Sequence, residues 1–290
     1  MIGRAAQQPQ LATDGAGMVA RPTVARRTVG ALIPAHRRPQ LAGAVRSLRY
    51  RGDAVSCPCC GGSFDRFAAH RERPRAKCPR CGSLERHRLL LRFLEERTDI
   101  LERPLELLHA APEHALLLTL SRQPNLRYRT VDLDSPLAQD HADLMALPYP
   151  AGRFDVVLCS HVLEHVSDDR LALSEIQRVL APGGRAVLMS PIDEHRPDTL
   201  EDDEVVTPAD RARVFGQADH VRRYGRDFAA RVAGCGFEVE TVPYIDELPG
   251  PVIRRMGLRR ESDLFERDDI FMCTIAADRE ETGGVDRSLL

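Results

Sequence analysis

The chain has 290 residues, of which 43% are hydrophobic and 29% charged, with 20 Gly, 20 Pro, 8 Cys and no Trp. That is enough for one α/β domain of ordinary size plus an appendage, and no run approaches the eighteen apolar residues of a membrane-spanning helix. The net charge of -2 conceals an asymmetry: residues 1–93 hold 18 basic and 5 acidic side chains, and the remainder 23 and 38, a split that suits an anionic partner for the N-terminal part or a solvated basic tail beside an acidic domain.

Residues 1–52 are basic, with scattered Gly and Pro and weak periodicity, and are expected to be disordered apart from a short helix near 41–48. They contain no apolar central segment of the secretory type, so a cytoplasmic location is expected. Cys57-Pro-Cys-Cys60 and Cys78-Pro-Arg-Cys81 follow, two CxxC pairs separated by 17 residues. This is the spacing of a four-cysteine zinc ribbon, in which four thiolates close the coordination shell and make the ion structural. Cys57 is preferred over Cys59 because CxxC closes the usual knuckle; two disulfides are the alternative, disfavoured in a reducing compartment. His70 and His87 are the substitute ligands. A helix is expected from Ser83, as N-cap, to about Arg97, with Leu84, Leu89, Leu90, Phe93 and Leu94 on its core face. The ribbon and this connecting helix make up residues 53–97.

From Pro104 strands and helices alternate, the signature of a parallel sheet with helices on both faces. Strands are expected at 105–110, 127–132, 140–142, 154–159, 185–190, 237–244 and 269–276, and helices near 114–121, 168–180 and 226–233. The domain spans 98–280 and a flexible tail 281–290. Phe154 to Cys159 is a continuous apolar run, as in a strand covered on both faces. Ser160, His161, Glu164 and His165 then arrive at its carboxyl end, where ligands bind in open α/β sheets. In the helix that follows, Leu171, Leu173, Ile176, Val179 and Leu180 form the apolar stripe, and Pro182-Gly183-Gly184 ends it.

The run FDVVLCSHVLEHV, its helix and the LAPGG turn together resemble class I S-adenosylmethionine-dependent methyltransferases of the type 11 kind. The turn His109-Ala-Ala-Pro-Glu113, CGSLERHR after the ribbon and FGQADHVRRYG at 215–225 resemble a zinc-ribbon subgroup of that family over about residues 53–245. The resemblance implies a Rossmann-like seven-stranded sheet, a last strand inserted antiparallel, and S-adenosylmethionine as cofactor beside a structural zinc ion. It places the cofactor against Ala111, Pro112 and Glu113, in a turn without the family's usual glycines. Asp132 is expected to bond the ribose, with Leu133 beside it and Asp134 as the second choice. Asp143 and Leu144 are expected at the adenine, and Ser160 and His161, at the end of their strand, are expected to contact the cofactor.

Methyl transfer is an in-line displacement in which the protein chiefly positions two reactants. His220, His165 and Tyr224 are the candidate bases, the first and last in the 215–225 segment expected to act as a substrate lid, with the acidic Thr199–Asp203 stretch just before it. A small polar acceptor methylated on oxygen or nitrogen, a sugar or secondary metabolite, is the expected substrate. An RNA base recognised through the basic N-terminal part is the alternative, and a non-catalytic cofactor-binding scaffold is the third reading.

Overall fold

The computed structural model describes Gly43, residues 45–260 and residues 266–275. Helical backbone at 45–48 is the described part of the short helix expected at 41–48. Most of the N-terminal region and the whole 281–290 tail lie outside the described residues.

The ribbon consists of two small hairpins. Val55–Cys57 (β1) pairs antiparallel with Gly62–Phe64 (β2), and Ala68–His70 (β3) with Arg73–Lys77 (β4). One cysteine pair sits in the turn between β1 and β2, the other just after β4. Helix α1, Glu85–Arg97, begins one residue later than the sequence suggests. Ser83 is buried with its Oγ 3.1 Å from Cys57 Sγ, so it is spent on the cysteine cluster. Leu84 becomes the N-cap, its N–H donating to His87 Nδ1 at 3.2 Å.

The main domain follows in chain order: β5 (Leu105–Ala110), α2 (His114–Leu120), β6 (Leu126–Asp132), β7 (Asp140–His141), β8 (Phe154–Ser160), α3 (Asp169–Val179), β9 (Leu180–Met189), β10 (Ile192–Asp193), β11 (Leu200–Glu201), α4 (Pro208–Phe215), β12 (Arg222–Arg223), α5 (Phe228–Ala233), β13 (Glu238–Val242), α6 (Tyr244–Glu247), α7 (Gly250–Met256), β14 (Glu266–Arg267) and β15 (Ile270–Thr274). Seven strands form one sheet in the order β13-β15-β9-β8-β5-β6-β7, and only β15 runs against the others. The strand order reverses beside β5, which opens a crevice at the carboxyl ends of β5, β6 and β8. The alternation of elements predicted the parallel sheet, and the family resemblance its Rossmann-like seven-stranded form with the last strand antiparallel.

Two apolar layers cover the sheet. One joins Leu108, Val157 and Leu188 to Leu173, Ile176 and Phe228 on the α3 and α5 side. The other runs from Cys57, Phe64 and Phe67 through Leu89, Leu90 and Phe93 of α1 to Leu107, Leu116 and Val187. The boundary set at residue 97 therefore crosses one continuous core. Leu171, assigned to the buried stripe of α3, is 47% exposed; Ala172 takes its place. Pro182-Gly183-Gly184 lies inside the irregular first half of β9, since α3 already ends at Val179. Among the described residues no helix is long and apolar enough to cross a membrane.

Candidate functional site

A cavity of about 390 Å³ opens at the carboxyl ends of β5, β6 and β8. Because the three strands are parallel neighbours in register, the residues just past them reach one edge of the sheet. Ala111 enters the wall after β5, Asp132 and Leu133 at the end of β6, and Asp143 and Leu144 after β7. Five of the nine residues expected at the cofactor thus share one cavity.

Both acidic residues have one oxygen fixed by their own turns. Asp132 Oδ1 accepts from the N–H groups of Asp134 and Ser135 at 2.9 and 2.7 Å. Asp143 Oδ1 accepts from Met145 N–H at 2.9 Å. These bonds orient the carboxylates toward the cavity before any ligand arrives. Asp134 is exposed and stands off the wall.

The turn after β5 shows how the chain manages without glycine. Ala111 has φ 49°, in the left-handed region, while its N–H donates to Val131 O at 2.8 Å. A left-handed conformation costs a residue with a Cβ about 1–2 kcal/mol, so the turn keeps a glycine-like path and carries the strain. Replacing Ala111 with Gly is expected to stabilise the fold by about 0.5–1 kcal/mol after the glycine's own entropy is counted. Urea unfolding measures it; a destabilised variant would mean that the lost methyl packing outweighs the strain.

Pro112 and Glu113 are not on the cavity wall. Glu113 accepts instead from His109 Nε2 at 3.1 Å, and His109 Nδ1 lies 2.7 Å from the Tyr128 hydroxyl. Burial alone would raise the Glu113 carboxyl, but the His109 hydrogen bond and the Arg86 charge help hold it below the usual range. His87, 3.5 Å from Glu113, is kept neutral by burial, its pKa lowered to about 3. Ser160 is buried and its Oγ has no hydrogen-bond partner among the described residues. His161, at φ 55°, lies between two carboxylates, Nδ1 3.2 Å from Glu164 and Nε2 3.3 Å from Asp268. Against burial, which would lower it, these carboxylates raise its pKa and favour the imidazolium. Ser160 and His161 are therefore behind the cavity rather than in its wall.

Of the three candidate bases, His165 reaches the wall. His220 is buried behind it, the two rings meeting edge to face with centroids 4.7 Å apart. Tyr224 is placed elsewhere. It is wholly buried, its hydroxyl donates to Asp169 Oδ2 at 2.7 Å, and its ring packs on Phe228, which makes it a support for α3 and α5. The lid segment is tied down by Arg222, whose guanidinium donates to the carbonyls of Leu163, Val166 and Ser167 and to Glu201. Glu201 in turn pairs with Arg231, so the acidic stretch before the lid is partly a paired strand.

Sequence reasoning passed over Met145, Val162, Val166 and Ser167, which also line the cavity. Their signal was adjacency: one lies two residues past Asp143, the others inside or next to the VLEHV run.

In the ribbon, ligand atoms of Cys57, Cys60, Cys78 and Cys81 all lie within 4.8 Å of one another. The pairs Cys57 to Cys81 and Cys60 to Cys78 are each 3.7 Å apart, far beyond a disulfide bond. That distance matches the roughly 3.8 Å edge of a tetrahedron with metal–sulfur bonds of about 2.3 Å. The four thiols could therefore hold one ion. Cys59 Sγ faces His87 O at 3.7 Å and stands outside the quartet, as do His70 and His87.

Residues 112–188 match a family model described as a methyltransferase domain. The chain is 31% identical over 127 residues to 27-O-demethylrifamycin SV methyltransferase of Amycolatopsis mediterranei, a stretch covering 44% of this chain and 45% of that one. It is 36% identical over 77 residues to the uncharacterized methyltransferase YcgJ of Bacillus subtilis, covering 27% and 28%. The crystal structure of YcgJ superimposes with a TM-score of 0.43 at 18% identity, covering 66% of this chain and 99% of that one. The aligned sequence spans less than half the length of these relatives.

Proposed function

We propose, from the premise that this chain carries a class I S-adenosylmethionine-dependent methyltransferase domain, that it binds this cofactor in the cavity over β5, β6 and β8 and methylates oxygen or nitrogen of a small polar acceptor, a sugar or secondary metabolite. The observation that carries the reading is the convergence of Ala111, Asp132, Asp143 and Leu144 on one cavity of about 390 Å³, a usual size for a small-molecule site. Asp132 would accept from the ribose hydroxyls, Asp143 from the adenine amino group, and Leu144 would pack on the base. Bound there, the cofactor supplies a methyl group on a sulfonium sulfur; the acceptor lone pair forms the new bond as the carbon–sulfur bond breaks and the thioether leaves. The protein's part is to align the acceptor and take up its proton; His165 lines the cavity wall, and Glu164 and His220 cluster with it.

The ribbon cysteines Cys57, Cys60, Cys78 and Cys81 are assigned to a structural zinc ion, since four thiolates leave no open position for substrate.

Calorimetric titration with S-adenosylmethionine and S-adenosylhomocysteine tests the reading. Micromolar or tighter binding is expected, and Asp132→Ala is expected to weaken it about 10- to 100-fold, the worth of a hydrogen bond to a charged group. Unchanged affinity in the variant would remove Asp132 from the ribose, and a folded protein that binds neither ligand would overturn the enzyme reading.

A further inference from the structure

We infer that Glu164, His165 and His220 form a second metal centre, for a divalent transition ion, opening on the same cavity. One ligand atom from each residue lies within 4.8 Å of the others. His165 Nδ1 is 3.3 Å from Asp219 O, and His220 Nδ1 is 3.3 Å from Phe215 O. A carbonyl only accepts, so each Nδ1 carries the proton and each Nε2 presents a lone pair. That is the arrangement in which metal-ligating imidazoles are held.

The buried polar atoms point the same way. His220 is 3% exposed, yet its Nε2 has no hydrogen-bond partner among the described residues, and Glu164, 1% exposed, has its Oε1 3.2 Å from His161 Nδ1. Buried polar atoms are nearly always satisfied, and an ion bound beside Glu164 would satisfy His220 Nε2. The other oxygen, Glu164 Oε2, is oriented by Ser190 Oγ at 3.1 Å.

The three residues are held as one unit by backbone bonds. Val221 N–H donates to Glu164 O at 3.0 Å, and Arg222 ties the carbonyls of Leu163 and Val166 to the same lid segment. Two imidazoles and one carboxylate suit manganese, iron, cobalt, nickel or zinc better than magnesium or calcium, and they leave coordination positions open. His165, on the cavity wall, directs those positions toward the cavity. An acceptor hydroxyl or amine held there would lose its proton more readily. The ion's binding stands on these side chains alone, while its part in handling the acceptor rests on the methyltransferase reading.

The test is titration of the full chain, its ribbon metal in place, with Co²⁺, followed by calorimetry and absorption. The expected result is one further equivalent of micromolar affinity, with weak visible bands and none of the intense near-ultraviolet absorption of a thiolate site. His165→Ala removes an exposed ring that the fold tolerates, and His220→Ala a buried one; each is expected to weaken uptake at least about tenfold. His141→Ala, exposed on β7, leaves it unchanged. Absence of a further equivalent at millimolar Co²⁺, or an equivalent indifferent to both variants, overturns the centre. Binding of S-adenosylhomocysteine by the same samples separates the two ideas: cofactor binding without cobalt uptake removes the metal centre alone, and cobalt uptake without cofactor binding removes the methyltransferase reading alone.

Discussion

Replacing Arg88 with Met is expected to destabilise the protein by about 3–5 kcal/mol, the cost of removing one member of a buried, fully bonded charge arrangement. Arg88 is wholly buried in α1. Its guanidinium donates to Ala76 O and Ser83 O on the ribbon side and to Met256 O and Gly257 O at the end of α7, and it lies 4.0 Å from the centre of the Phe67 ring. Methionine fills much of the volume but satisfies none of these carbonyls. The charge matters too: burial lowers the Arg88 pKa, and the neighbouring Cys57, Glu85 and Cys78 offset part of that. An arginine beside four thiolates offsets part of their negative charge. Arg88→Lys should fall between the wild type and Arg88→Met, since one ammonium cannot reach two carbonyl pairs that a planar fork spans. Urea unfolding of the three proteins decides it, and a loss below about 1 kcal/mol for Arg88→Met would place the joint's stability in its apolar contacts alone.

The elements that sequence made visible are those whose own pattern fixes them. β8 is an unbroken apolar run and α3 a periodic one, and both stand within a residue or two of where the pattern puts them. Elements fixed by tertiary partners were invisible. β10 and β12 are two residues each, and they exist because β14 and β11 lie opposite them. α4 is a different case: Thr207 accepts from Asp210 N–H and Pro208 opens the helix, both legible start signals. Its stripe was missing, because only Phe215 is buried.

The same division holds at the site. The cavity positions of Asp132 and Asp143 were legible, the first from its place at a strand end and the second through the family resemblance. The fate of Glu113 and His161 was not, because each meets a partner from a distant segment: His87 of α1 for one, Asp268 for the other. Tyr224 read as a lid residue by its neighbours in sequence. Its hydroxyl is instead consumed by Asp169 at the start of α3, a contact that no local pattern announces.

Removal of the zinc ion proposed for the ribbon is expected to have the second large effect. Structural zinc in small peptides contributes apparent binding energies of about 10–16 kcal/mol, as much as the whole stability of an ordinary domain. Four cysteine sulfurs within 4.8 Å cannot all remain thiolates without a cation between them. If the ribbon were a separate module, chelation would unfold it and leave cofactor binding intact. The core argues otherwise, since Cys57, Phe64 and Phe67 share one apolar cluster with α1, Leu107 of β5 and Leu116 of α2, and β5 leads into the Ala111 turn. Chelated protein, or Cys60→Ser, is therefore expected to melt at much lower temperature in one transition and to lose affinity for S-adenosylhomocysteine along with it. Calorimetric melting beside ligand titration reads both quantities. Two separate transitions, with cofactor affinity unchanged after the first, would mean that the sheet holds its site without the ribbon and that the cluster joining them carries little of the stability.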